Sequence, residues 1–217
     1  MKKQDAARIY SLLVGRYPGA RNAPEAVCRG TPFEVLVLTI LSGQTTDRAV
    51  LKVKGPLFRK YPAPEDLAQA KPAGVEPIIR SLGYYHAKAK NIIAASGEIV
   101  WKYGGRVPDT MDGLLALPGV GRKTARIVLY NGFGKNEGIA VDTHVRRIAQ
   151  RVGFSKTDNV AVIEKDLMGL FPKEDWGDLT DVLIAHGRAT CDARKPRCET
   201  CVIARSCRYF RERKGPA

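Results

Sequence analysis

The sequence lacks any hydrophobic run long enough to cross a bilayer. Its longest apolar stretch, Val35 to Leu41, is already interrupted by Thr39. The first residues, Met1-Lys2-Lys3-Gln4-Asp5, lead into no leader-like apolar segment. No block of lysines resembles a helix that lies on a membrane surface. The cytoplasm is therefore the expected location, with no membrane partner. Alternating β-patterns are scarce, and no Asn-Gly or Asp-Gly pair clearly joins two strand-like runs, which argues against a sheet-based fold. Internal repeats and low-complexity tracts are also missing, which removes solenoids and disordered arrays. Acidic residues are in short supply as well: 22 Asp and Glu face 36 Lys and Arg, a net charge of +14. That deficit points to a polyanionic partner, nucleic acid first, with a merely solubilising basic surface as the bland alternative.

What is present is helical. The chain has 217 residues, 44% of them hydrophobic, enough for one large domain or two small interlocked ones. Ile92, Ile93, Ser96, Ile99, Val100 and Tyr103 recur at helical spacing, with Lys88, Lys90, Glu98 and Lys102 expected on another face. Similar segments are expected at about 4–17, 33–42, 46–60, 64–70, 74–81, 111–116, 122–131, 142–152, 159–170 and 176–187. Pro18, Pro32, Pro62, Pro72, Pro108, Pro118 and Pro172 separate many of them. An all-α protein of about a dozen short helices follows.

Four cysteines crowd the C-terminal end: Cys191, Cys198, Cys201 and Cys207 read C-x6-C-x2-C-x5-C. In a reducing compartment such a group indicates metal rather than disulfides. Zinc and an iron–sulfur cluster both take four thiolates. Zinc usually shows two tight pairs, whereas here only the middle pair is tight, so the looser outer spacings fit a 4Fe–4S cube better. Cys28 stands far upstream and reads as a small hydrophobe rather than a fifth ligand. From Arg188 to Lys214 nine basic residues face three acidic ones, a net of +6. Arg194, Lys195 and Arg197, between the first two cysteines, form a candidate phosphate-gripping loop, so the expected role of the metal is structural.

Leu117-Pro118-Gly119-Val120-Gly121-Arg122-Lys123-Thr124-Ala125 joins two helical segments. Gly119 and Gly121 are expected to allow positive φ and a bare backbone, so that amides and the helix dipole can meet a phosphate, while Val120 anchors the turn. In so basic a chain this is a helix–hairpin–helix DNA grip. Lys123 stands beside Arg122 at the start of the second helix, a setting suited to an amine nucleophile; the alternative is one more phosphate-binding lysine. Val141-Asp142-Thr143-His144 opens another helix, and Asp142 suits its N-cap. The helix from Arg122 rises roughly 15 Å and the return to Val141 can extend up to roughly 33 Å, so Asp142 can come back level with Lys123. An amine and a carboxylate at a DNA-gripping turn suit cleavage of a glycosidic bond.

At this point the chain resembles the endonuclease III family of the helix–hairpin–helix glycosylase superfamily, over about residues 25 to 210. The likeness is carried by Leu41-Ser42-Gly43-Gln44-Thr45-Thr46-Asp47, Leu117 to Ala125, Val141 to His144, His186-Gly187-Arg188 and the four cysteines. It implies a six-helix domain over 23–135 carrying the hairpin, and a discontinuous 4Fe–4S domain made of 1–22 and 136–217. Double-stranded DNA with damaged bases or abasic sites would lie in the cleft between them, bound by a monomer. It also implies removal of oxidised pyrimidines with lyase cleavage of the strand, Lys123 as Schiff-base nucleophile, Asp142 as its acidic partner, and the four tail cysteines as cluster ligands. Gln44 would fill the gap left by a flipped nucleotide, with His144 and the hairpin residues Gly119, Val120, Gly121 and Arg122 also at the DNA. Where the familiar bacterial form has a leucine wedge, this chain has Gly83-Tyr84-Tyr85; Tyr84 could stack on the orphaned base or belong to the core. Two other readings stay open: a mismatch thymine or uracil glycosylase on the same scaffold, and a non-catalytic DNA-binding module with a redox-sensing cluster.

Overall fold

The computed structural model describes residues 1–20 and 30–214. Those residues form twelve α-helices and no strand: α1 (Lys3–Arg16), α2 (Pro32–Ser42), α3 (Asp47–Lys60), α4 (Pro64–Ala68), α5 (Pro72–Ile79), α6 (Tyr85–Tyr103), α7 (Met111–Leu115), α8 (Arg122–Phe133), α9 (Thr143–Val152), α10 (Val160–Leu170), α11 (Trp176–Ala189) and α12 (Arg208–Lys214). The all-α expectation holds. The chain divides into two compact units, Pro24–Glu137 and the discontinuous pair Met1–Ala23 with Gly138–Ala217.

The contiguous unit is built around α2. Seven consecutive residues of this helix, Val35 to Leu41, are buried. A helix apolar all round has no solvent face to offer and becomes the centre of its domain. Thr31 fixes where it starts: its hydroxyl accepts from the Glu34 amide at 3.2 Å while the Thr31 amide donates to Glu34 Oε2 at 3.1 Å, with Pro32 at the first helical position. Helices α6 and α8 pack on it, burying Ile92, Ile99, Ala125, Val128 and Leu129.

The other unit brings the first helix of the chain to elements more than a hundred residues away. Ala6, Ile9, Tyr10 and Leu13 of α1 share a core with Val145 and Ile148 of α9, Ile163 and Leu167 of α10, and Val182 and Leu183 of α11. Phe171 stands edge-on to both Tyr10 and Phe154, with ring centroids 5.8 and 5.2 Å apart. One helix was not foreseen. The tail after Cys207 forms α12, and Cys198–Thr200 and Ala204–Ser206 form single 3₁₀ turns.

Candidate functional site

The hairpin joins α7 to α8. Leu117 and Val120 are buried, and the Val120 amide donates to the Leu117 carbonyl at 3.2 Å, closing the turn. Gly119 has φ 78°, and a β-carbon there would come within 2.9 Å of Asn91 Cβ. It is required both by conformation and by close packing. Gly121 is different: it adopts φ −98° and ψ 175° as N-cap of α8, so positive φ is not its reason for being glycine. A β-carbon there would meet nothing within 4 Å. What glycine supplies is access, because no side chain caps α8 and Gly121 itself is exposed, leaving the first amides of the helix without a side-chain acceptor. Arg122 and Lys123, the first two residues of that helix, are both exposed.

Gln44 and Tyr84 lie elsewhere in the same unit. Gln44 stands exposed in the turn between α2 and α3 with φ 54°. Tyr84 caps α6 with φ 58° and ψ 30°. Left-handed geometry in a residue other than glycine costs roughly 1–3 kcal/mol and is retained where the surroundings impose it. Tyr84 is 72% exposed, which removes the core reading of that ring. Lys88 also departs from expectation. Four residues before Ile92, it falls on the buried stripe of α6 and is only 6% exposed, because a long aliphatic stem can fill an apolar position while its head reaches a polar partner.

In the discontinuous unit, Asp142 is the N-cap of α9. Its Oδ1 accepts from the Val145 amide at 2.7 Å, so the capping role is real; a carboxylate has a second oxygen for other work. His144 follows in the first turn, half-buried. Its Nδ1 lies 3.0 Å from Arg147 Nη2, and since a guanidinium only donates, that nitrogen accepts and the proton of a neutral ring sits on Nε2.

All four tail cysteines line one pocket. His186, buried and 3.9 Å from Cys201 Sγ, is pushed down to about 4 by burial and by Arg147, so it is neutral at physiological pH. Burial pushes the Cys201 and Cys207 thiols up. Two residues that sequence reasoning missed hold the cysteine loop. Arg147 Nε donates to the Cys191 carbonyl at 3.1 Å and its Nη2 to the Gly187 carbonyl at 3.1 Å. Arg151, one turn on, donates to the Asp192 and Ala193 carbonyls at 2.7 Å each and to Cys191 Sγ at 3.4 Å, with Tyr209 under its guanidinium. The signal was available as two arginines four apart on one helix face, each a rigid five-donor fork. Asp192 Oδ1 then accepts from the amides of Arg194 and Lys195 at 2.9 and 3.1 Å, which holds its carboxyl below the usual range. Arg194, Lys195 and Arg197 emerge exposed from that turn. Cys28 lies outside the described residues.

The sequence pattern described as the HhH-GPD superfamily base excision DNA repair protein matches residues 37–173. Endonuclease III of Synechocystis sp. is 46% identical over 206 residues, 95% of this chain and 93% of that one. A solved structure of a trapped endonuclease III–DNA covalent intermediate superposes with a TM-score of 0.90 at 39% identity, covering 99% of this chain and 100% of that one. A thermostable thymine-DNA glycosylase superposes at 0.83 with 25% identity, covering 96% and 97% of the two chains.

Proposed function

The chain belongs to the endonuclease III family of the HhH-GPD superfamily of base excision DNA repair proteins, and from that premise we propose that Lys123 and Asp142 carry its reaction, with oxidised pyrimidines as substrates. The protein is a base-excision DNA glycosylase and AP lyase that acts on damaged double-stranded DNA. The observation that carries the site assignment is Lys123 itself: an exposed amine in the first turn of a helix whose N-cap is a bare glycine. The uncapped amides of α8 take the DNA phosphate, which brings the amine to a sugar rather than to bulk solvent. Lys123 Nζ attacks C1′, and the electron pair of the N-glycosidic bond leaves with the base. Opening of the sugar ring gives an imine between enzyme and C1′. Loss of the C2′ proton then expels the 3′ phosphate, and water hydrolyses the remaining imine. Asp142 stabilises the cationic character of the sugar as the base departs.

Gln44 and Tyr84 are assigned to the opened duplex, and Arg194, Lys195, Arg197, His144 and the hairpin to the surrounding DNA. Extrusion of the damaged nucleotide is what exposes C1′. The units Pro24–Glu137 and Met1–Ala23 with Gly138–Ala217 take the parts of hairpin domain and cluster domain. No helix among the described residues is long and apolar enough to cross a membrane, and the cytoplasm, with its chromosomal DNA, is the proposed place of action.

Duplex DNA carrying one oxidised pyrimidine should be excised and then nicked on the 3′ side of the lesion. The likeness to a thymine-DNA glycosylase makes a guanine–thymine mismatch the informative second substrate. Excision of the mismatched thymine without excision of the oxidised base would replace the substrate proposed here.

A 4Fe–4S cluster is the proposed occupant of the cysteine cavity. The donor set is all sulfur, and the four thiols line one pocket. The loose outer spacings of C-x6-C-x2-C-x5-C suit a multi-iron cube over zinc. Metal binding would displace the protons that burial favours on Cys201 and Cys207. When bound, the cluster supplies cross-links that fix the Arg194–Arg197 loop and takes no part in base release. Purified protein should be yellow-brown and contain about four irons per chain; one tightly held zinc without iron would overturn the assignment.

A further inference from the structure

Gln44 and Tyr84 are the two residues other than glycine with positive φ among the described residues. Both belong to the Pro24–Glu137 unit, one just after α2 and the other at the start of α6. A lysine that the reaction above does not use connects them. The Lys88 amide donates to the Tyr84 carbonyl at 3.0 Å, the first hydrogen bond of α6. Its ammonium donates to Thr45 Oγ1 at 2.6 Å. Thr45 follows Gln44 and closes that turn, its amide donating to the Ser42 carbonyl at 3.1 Å and its hydroxyl to the Gly43 carbonyl at 3.4 Å. One residue thus holds the backbone of one left-handed turn and the side chain of the other.

The placement is costly for the fold. Lys88 occupies a position on the core stripe of α6 where a leucine or methionine would pack without charge, and burial pulls its ammonium below the usual lysine range. A buried cation needs a partner, and the one it reaches is a hydroxyl in a solvent-facing turn. Core stability alone does not account for that choice.

We propose that Lys88 is a positioning residue for nucleotide extrusion, tying the Gln44 turn to the Tyr84 turn so that both side chains enter the duplex in one fixed register. Lys88 touches neither base nor sugar. The inference rests on the assignment of Gln44 and Tyr84 to the opened duplex. Without the tie, each strained turn can relax independently, and simultaneous entry of the two side chains becomes rare. Opening a stacked, paired nucleotide suffers most from this. A site that has already lost its base has little stacking to disrupt and suffers least.

The test compares wild type with Lys88→Met, Thr45→Val, Thr45→Ser and Gln44→Ala, in single-turnover reactions with protein saturating over DNA. Three quantities are read: excision of an oxidised pyrimidine, strand cleavage at a preformed abasic site, and fluorescence of 2-aminopurine placed beside the lesion as a reporter of unstacking. Lys88→Met and Thr45→Val should each slow excision by roughly ten- to a hundredfold, the scale of an ångström-level misplacement. Cleavage of the abasic site should change by less than about twofold, because the amine and hairpin are intact. The unstacking signal should fall with excision. Thr45→Ser, which keeps the acceptor hydroxyl, should restore both. The double variant Lys88→Met with Thr45→Val should be no worse than either single change, as two ends of one bond require.

Equal losses on both substrates, or loss of excision with normal unstacking, would overturn the tie. Thr45→Val with wild-type excision would do the same, and it keeps the test open if Lys88→Met fails to fold. Gln44→Ala separates the levels. If it leaves unstacking unchanged, the insertion role of Gln44 is wrong and the inference falls with it. If it abolishes unstacking while Lys88→Met does not, insertion stands and only the tie is wrong.

Discussion

Borohydride added to the protein on DNA carrying one oxidised pyrimidine will trap a covalent protein–DNA adduct, and Lys123→Gln will abolish that adduct. The reduction converts the imine between Nζ and C1′ into a stable amine, so trapping reports covalent chemistry and nothing else. Glutamine keeps a polar side chain one atom shorter but offers no charge and no nucleophilic amine. The variant should still bind DNA, because the proposed grip belongs to the backbone amides at Gly121 and to the turn anchored by Leu117 and Val120. Losing one exposed phosphate contact should weaken affinity by less than about tenfold. A lysine that served only as such a contact would show the opposite pattern, with affinity reduced and the adduct intact. An adduct that survives in Lys123→Gln would mean that another amine is the nucleophile.

The second large effect is expected at Asp142. Replacement by asparagine should slow base release by at least about a hundredfold, the scale for removing one charged catalytic group. Asparagine is chosen because the structure gives Asp142 two possible jobs. As N-cap it accepts from the Val145 amide at 2.7 Å, and an asparagine carbonyl caps a helix about as well as a carboxylate. The thermal unfolding midpoint of Asp142→Asn should therefore match wild type, which isolates the charge from the cap. Asp142→Ala removes both, and should add a stability loss of about 0.5–2 kcal/mol. Excision at the wild-type rate in Asp142→Asn would leave the residue with its cap alone.

Most of the helices were legible because their apolar residues recur at helical spacing and prolines or caps bound them. The hairpin could be read because Leu117 and Val120 supply anchors around glycines, and the cysteine group because four thiols in seventeen residues are hard to explain otherwise. The unread parts share a cause. The tail from Cys198 onward has almost no apolar period of its own; its 3₁₀ turns and α12 are set by Ile203 and Cys207 entering the core, by Arg151 stacking on Tyr209 and by Arg208 donating to the Gln150 carbonyl. The charge of Lys88 argues for an outward face, but its position four residues before Ile92 puts it on the buried stripe. The two hairpin glycines look alike in sequence, yet only Gly119 takes the left-handed conformation, since a glycine can be needed for space as well as for φ. Arg147 and Arg151 work through tertiary bonds to carbonyls more than thirty-five residues away; their spacing of four marks a shared helix face but does not say which carbonyls they reach.

The division of the chain also bears on how the protein comes off the ribosome. All the helices of the contiguous unit are in hand once residue 137 has been synthesised. Helix α1, by contrast, is made before the contiguous unit and packs on α10 and α11, the latter ending at Ala189. At roughly 5–20 residues per second, α1 waits on the order of ten seconds or more for its partners. During that interval Ile9, Tyr10 and Leu13, buried in the finished fold, have no core to enter. The segment that carries the hairpin is thus complete while the segment that holds the cysteines is still being made, and α1 is the stretch left longest without its partners.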